Sequence, residues 1–247
     1  MALDPAAKLA LLKDPVERQR LKVLAEAENP IGHLIEWTSY FIVETFSEET
    51  ARFQGRFLQE ASREEGKEPF DLLMDIVCAD GLRTKLCPRV LEHDAEDWVV
   101  NSELIRDPRV VIGASDAGAH VDMQGGFNYP TELLHYLVRE QGLFSVEELV
   151  SQLSSVPAQL VGLKDRGVIA EGAHADLVVF DDDLVGSRPL ETRFDLPGGA
   201  GRLYADSIGV DHVFVAGVEI VVDGKLTDAR PGAVLRSGRD TADPSMV

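Results

Sequence analysis

The chain has little cysteine: its 247 residues include two, Cys78 and Cys87. Two thiols make no disulfide framework, and a reducing, cytoplasmic setting is the expectation. Positive charge is also scarce, with 24 Lys and Arg against 43 Asp and Glu, a net charge of −19. A surface this acidic repels phosphate backbones, so nucleic acid is not an expected partner. No apolar run reaches the length of a membrane span, and acids and bases interrupt the first residues where a signal peptide would be apolar, so no membrane partner is expected either. The histidines at positions 33, 93, 120, 135, 174 and 212 form no H-x-H or H-x-x-x-H pair, so an evident zinc triad is lacking. Ser115 has no G-x-S-x-G elbow around it and therefore lacks the setting of a serine nucleophile. There is no internal repeat.

With 45% hydrophobic residues, the chain can bury a core as one large domain or two small ones. Residues 4–28 read as a charged amphipathic helix or helix pair, with Leu9, Leu12, Val16, Leu21 and Leu24 near helical spacing and Pro30 and Gly32 as the stop. Leu34–Phe46 reads as strand, and Ser47 opens a charged helical stretch to Gly66. A helix follows Pro69, with Phe70, Leu73, Met74 and Val77 on one stripe and Cys78 beside it as core. Cys87 and Pro88 fall in a loop-rich stretch, and a short helix, "EDWVVNSELIRD", runs up to Pro108. Residues 109–115 read as strand. Thr131 is the expected cap of "TELLHYLVREQG", and Gly142 stops that helix. Ser145 and Glu148 form a capping box, and Pro157 suits the first turn of one more helix. From Gly167 short β runs punctuated by glycine and aspartate take over, so a boundary is expected near residue 165, and the end of the chain reads as a loose tail.

The stretch "RVVIGASDAGAH", Arg109–His120, concentrates the chemistry. In parallel α/β folds reactive groups sit where strands end and loops begin. Asp116 holds that place, where a carboxylate serves as general base or metal ligand. The plainer alternative is a turn former or helix cap. Gly118 permits close backbone approach, and His120 can hold a metal, orient the acid or touch substrate; a solvated loop histidine is its plain alternative. His135, His174 and His212 read as packed or surface residues. Phe127 and Tyr129 in "GGFNYP" line a pocket mouth or pack, with packing favoured.

"GASDAGAHVDM", then "FSVEELVSQLSSVPAQLVGLKDRGVIAEGAHADLVVFD", resembles the closing part of the amidohydrolase superfamily. "RFDLPGGAGRLYADSIGVDHVFVAGVEIVVDGKLTDARPGAVLR" and the earlier "FQGRFLQEASREEGKEPFDLLMDIVCADG" are similar to the N-acyl-D-amino-acid deacylase, or D-aminoacylase, branch. The resemblance implies an α/β fold: the C-terminal part of a TIM-like (β/α) barrel over residues 1–165, strands of a small β-sandwich over 166–236, and a tail over 237–247. It implies a zinc-dependent hydrolase of non-peptide C–N bonds, of one or two ions, acting on a small-molecule amide such as an N-acyl-D-amino acid. Hydrolysis of a cyclic amide is another reaction within the same likeness. By that likeness Asp116 contacts the metal and takes a proton from the metal-bound water, and His120 lies at the substrate. Arg83, Arg89 and Arg202 are the cations available for a substrate carboxylate. The family's H-x-H and intermediate ligands have no counterpart here, so the expected partners are a missing N-terminal half or a partner chain, with homo-oligomerisation as a further form. The alternative is a binding module that keeps the fold without a complete metal site.

Overall fold

The computed structural model describes residues 3–27, 36–88, 95–122 and 125–242. Pro30, Gly32, His33, Arg89, His93 and the first two residues of the expected Leu34–Phe46 strand lie outside them. The chain divides into two compact units, residues 1–93 and 94–247. No described helix is long and apolar enough to cross a membrane.

In the first unit, aspartate–proline pairs start both leading helices. Asp4 accepts the N–H of Ala7 and opens Pro5–Lys13 (α1); Asp14 accepts from Val16 and Glu17 and opens Pro15–Glu26 (α2). This is the helix pair that the sequence suggests, but its apolar positions are not buried: Val16 and Leu24 are 75% and 58% exposed. The expected strand shortens to a 3-10 turn, Trp37–Ser39, and Tyr40–Glu44 (β1). The helix expected from Ser47 breaks. Gly55 has φ +75°, which an L-residue adopts only with strain, and its N–H donates to Ile42 O at 2.8 Å. The chain there forms Arg56–Phe57 (β2) beside β1, and only Leu58–Glu65 (α3) is helical. Pro69–Ala79 (α4) forms as expected, but its buried stripe is Phe70, Leu72, Leu73, Ile76 and Cys78, with the expected Met74 and Val77 only half-buried. Cys78 is buried, as expected. Cys87 is in a strand rather than a loop: Lys85–Pro88 (β3) pairs antiparallel with β1, Cys87 opposite Phe41. The core is Ile42, Phe53, Leu58, Ala61, Leu72, Leu73 and Ile76.

A buried carboxylate ties this unit together. Asp80, 1% exposed, accepts from Ser47 N (3.0 Å), Thr50 Oγ1 (2.5 Å) and Thr84 Oγ1 (2.7 Å). Burial pushes its pKa up, but the hydrogen bonds from Thr50, Thr84 and the neighbouring backbone outweigh that, and the carboxyl titrates below its usual range.

In the second unit, Ala95–Arg106 (α5) precedes the irregular stretches 107–122 and 125–128. Tyr129–Leu133 (α6) continues into a π-helical segment, Leu134–Glu140. Asn128 is at the cap position, and Thr131 is inside the helix, its hydroxyl donating to Asn128 O at 2.9 Å; the cap expected at Thr131 is three residues too late because Pro130 suits the first turn. Gly142, at φ +61°, ends the element as expected. The Ser145–Glu148 box forms in both directions (3.1 and 2.9 Å) and opens Val146–Leu153 (α7); Pro157 lies in the first turn of Ser155–Leu160 (α8).

The change from helix to strand occurs inside this unit. Leu177–Phe180 (β4), Val210–Val215 (β9), Val218–Val222 (β10) and Lys225–Leu226 (β11) make a four-stranded sheet in the order β11-β10-β9-β4. Two small ladders join Gly186–Ser187 (β5) with Ser207–Ile208 (β8), and Glu191–Arg193 (β6) with Arg202–Tyr204 (β7). Every ladder among the described residues is antiparallel. Residues 167–176, expected as β, are turns. Leu134, Leu137, Phe144, Leu149 and Val185 form the core that joins helices to strands. The expected loose tail is anchored as far as residue 242: Ala242 N donates to Gly162 O (2.8 Å) and Lys164 N to Asp240 O (3.0 Å).

Asp80→Asn puts an amide donor among donors, and we expect a loss of about 1–3 kcal/mol in urea unfolding. Because the native carboxyl titrates low, its contribution is present above the unfolded-state pKa and is lost as pH falls through the depressed value. Unfolding measured against pH should show this acid limb in the wild type and a flatter one in the variant.

Candidate functional site

Residues 109–115, expected as a strand, join no ladder among the described residues. Their backbone groups find other partners: Val110 N donates to Asp107 O (2.9 Å), and Tyr129 Oη donates to Gly113 O (3.1 Å). Ile112 packs against the Leu137–Leu149 core, so one side chain anchors the stretch. A short apolar run marks residues able to form a strand, but a strand needs a neighbour to exchange hydrogen bonds with.

Beyond this stretch the chain turns. Ser115 Oγ accepts the N–H of Ala117 at 3.2 Å, and Asp116 O accepts that of Ala119 at 3.3 Å. Ser115 is thus a turn former, consistent with its lack of a nucleophile elbow. Asp116 is exposed, and so is His120. His120 has φ +51°, the left-handed region, so backbone demand as well as chemistry acts at this position. The structure places both side chains on one exposed turn four residues apart.

The turn is held from two sides. Tyr129 fixes its start at Gly113. On the other side Leu203 N, in β7, donates to Val121 O at 2.7 Å. Gly125 lies so close to Leu190 that a Cβ there would be 3.1 Å from the leucine Cδ1. Phe127 packs against Tyr204 with ring centroids 6.2 Å apart, so both aromatics of "GGFNYP" serve packing and backbone support. Leu190 and the β7 residues Leu203 and Tyr204 are not among the residues expected from the sequence, because no local pattern links them to residue 116.

Two of the three candidate cations, Arg83 and Arg202, are described, and both are engaged; Arg89 lies outside the described residues. Arg202 makes a two-point contact with Asp195 (2.8 and 2.7 Å), and Arg193 contacts Glu191 (2.6 Å) and Asp206 (2.5 Å). Hydrogen bonding from Arg202 holds the Asp195 carboxyl below its usual range. Arg83, in the first unit, donates to Asp80 O and lies over the Phe46 ring at 4.9 Å. Among the other histidines, His135 contacts Arg139, and His212 Nδ1 is 2.7 Å from Glu219. These are structural roles, as expected.

Among the described residues, Asp181, Asp182 and Asp183 are the group of three donors close enough to share a metal ion, and Asp181 already accepts the N–H of Asp183. No such group includes Asp116 or His120. The described residues therefore do not make a complete zinc site around Asp116. An apolar groove of about 450 Å³, lined by Leu134, Val150, Leu153, Ile169 and Leu177, includes neither residue in its lining.

The amidohydrolase family model matches residues 60–225, and the chain belongs to that family. Among its relatives, N-acyl-D-glutamate deacylase of Alcaligenes xylosoxydans xylosoxydans is 33% identical over 156 residues, 62% of this chain and 29% of that protein. D-aminoacylase of the same organism is 29% identical over 185 residues, 73% of this chain and 34% of its own. The chain thus spans about a third of the length of these relatives. A solved N-acyl-D-glutamate deacylase from Bordetella bronchiseptica, bound to zinc and a phosphonate inhibitor, aligns over 79% of this chain and 38% of its own, at 22% identity and a TM-score of 0.37.

The left-handed backbone at residue 120 yields a test. His120→Gly removes a side chain from a strained conformation at the expense of a freer unfolded chain, so stability should stay level or rise by up to about 1 kcal/mol. A loss larger than about 1 kcal/mol in thermal unfolding would show that the imidazole contributes contacts that the backbone demand does not explain.

Proposed function

We propose that this chain is a segment of an amidohydrolase that cleaves the amide C–N bond of a small molecule, an N-acyl-D-amino acid in the first instance. The family match over residues 60–225 carries this reading, and the deacylase relatives point to the substrate class. Asp116 is the proton carrier in it. An exposed carboxylate on a braced turn can accept a proton from the attacking water as the oxygen bonds to the acyl carbon, then return it to the amine nitrogen as the C–N bond breaks. His120, on the same turn, touches substrate.

The residues in hand leave a zinc centre incomplete, so the reading routes no step through a metal. Any Zn²⁺ in the complete enzyme takes further donors from a longer protein or a partner chain. The same holds for a barrel: its remaining strands would pair with residues 110–115, and residues 166–236 would form the accompanying β module. A cytoplasmic location goes with this reading. The alternative, a module that binds without catalysis, draws its support from the incomplete donor set.

Asp116→Asn in the intact deacylase assembly separates the two. Hydrolysis of N-acetyl-D-glutamate, followed by release of the free amino acid, should fall by about 10²–10⁴-fold. Undiminished hydrolysis would falsify the assignment of Asp116.

A further inference from the structure

The β6–β7 hairpin is too short to be held by its ladder alone, and its charges explain its order. Alternation across the pairs Glu191↔Tyr204 and Arg193↔Arg202 puts these four side chains on one face, with Thr192 and Leu203 on the other. Leu203 is buried. On the polar face the Arg193 and Arg202 guanidinium carbons lie 3.9 and 4.7 Å from the Tyr204 ring centroid. Each arginine is also fixed by carboxylates: Arg193 by Glu191 and Asp206, Arg202 by Asp195. A ring under two guanidinium groups that are themselves tethered has few ways to move.

This braced hairpin faces the turn that carries Asp116. Leu203 spends its N–H outside the ladder, on Val121 O; Tyr204 meets Phe127; and Leu190, just before β6, closes on Gly125. Three contacts thus hold Val121, Gly125 and Phe127, which follow His120, while Tyr129 holds Gly113 before Asp116. We propose that the hairpin is a clamp on the Asp116 turn, and that Tyr204 is its positioning residue, keeping the carboxylate in place without touching substrate. The catalytic consequence rests on the function proposed above, whereas the clamp itself does not.

Two readouts keep these apart. In hydrogen exchange on this chain, Tyr204→Ala should speed exchange of the amides at 117–122 about tenfold while leaving β9 and β10 unchanged, and Tyr204→Phe, which keeps the ring under the arginines, should restore protection. Phe127→Ala removes the other half of the ring contact from a residue that is already 36% exposed, so it provides the same test with little risk to folding. Unchanged exchange at 117–122 in both alanine variants overturns the clamp. In the intact deacylase assembly, Tyr204→Ala should lower kcat about 10- to 100-fold with KM changed less than about twofold, because a displaced catalytic group loses rate rather than binding. A change confined to KM would instead make Tyr204 a substrate-contacting residue and overturn its positioning role. If Asp116→Asn keeps its full rate, the functional reading fails, and the exchange experiment still decides the clamp.

Discussion

Among the described residues no strand ladder lies beneath Asp116, so its position depends on hydrogen bonds to the backbone from elements distant in sequence. The Gly113 carbonyl is held by a tyrosine hydroxyl from α6, and the Val121 carbonyl by a main-chain N–H from β7. Both supports are rooted in one unit, where α6 and the π-helical turn after it pack with α7 and Val185 in a common core. Leu137 and Leu149 are fully buried and Val185 nearly so, and burying such side chains contributes roughly 1.5–3 kcal/mol each. That core holds the helix that carries the first support, and the two supports hold the turn.

Charge is arranged to match. The chain is strongly acidic, yet its arginines near the turn are not spare: Arg193 and Arg202 neutralise Glu191, Asp195 and Asp206 within the hairpin. These pairs are partly exposed, and each adds little to global stability. Their effect is local, because they order side chains that lie over Tyr204. Arg202, an obvious candidate for a substrate carboxylate when the sequence is read alone, is in the structure a hairpin strut. Asp80 has the same kind of role in the first unit, where the Ser47 N–H and the Thr50 and Thr84 hydroxyls surround one carboxylate. In both places an acid that looks chemically available is committed to holding chain segments together.

Some of this was legible in the residues. Helix starts were, because Asp4, Asp14, Ser145 and the prolines act on N–H groups within three residues of themselves. So were the stops at Gly66 and Gly142, and the glycine-punctuated strands β9 to β11, whose hairpins close over short distances. The helix expected through Gly55 failed because Ile42, thirteen residues earlier, takes the glycine N–H. The tail read as loose because its partners, Gly162 and Lys164, lie more than seventy residues before it.

The sequence by itself determined the family, through motifs spread over most of its length, and it singled out Asp116 and His120, with the acid placed at the end of an expected strand. The tertiary structure decided that residues 110–115 carry no β ladder among the described residues, that Arg202 is committed to Asp195, and that a hairpin some eighty residues away closes on the turn. The division has a physical cause. Caps, turns and periodicity act over a few residues and leave their mark in local order, whereas strand pairing and ring packing depend on which distant groups share a space, and no local pattern records that.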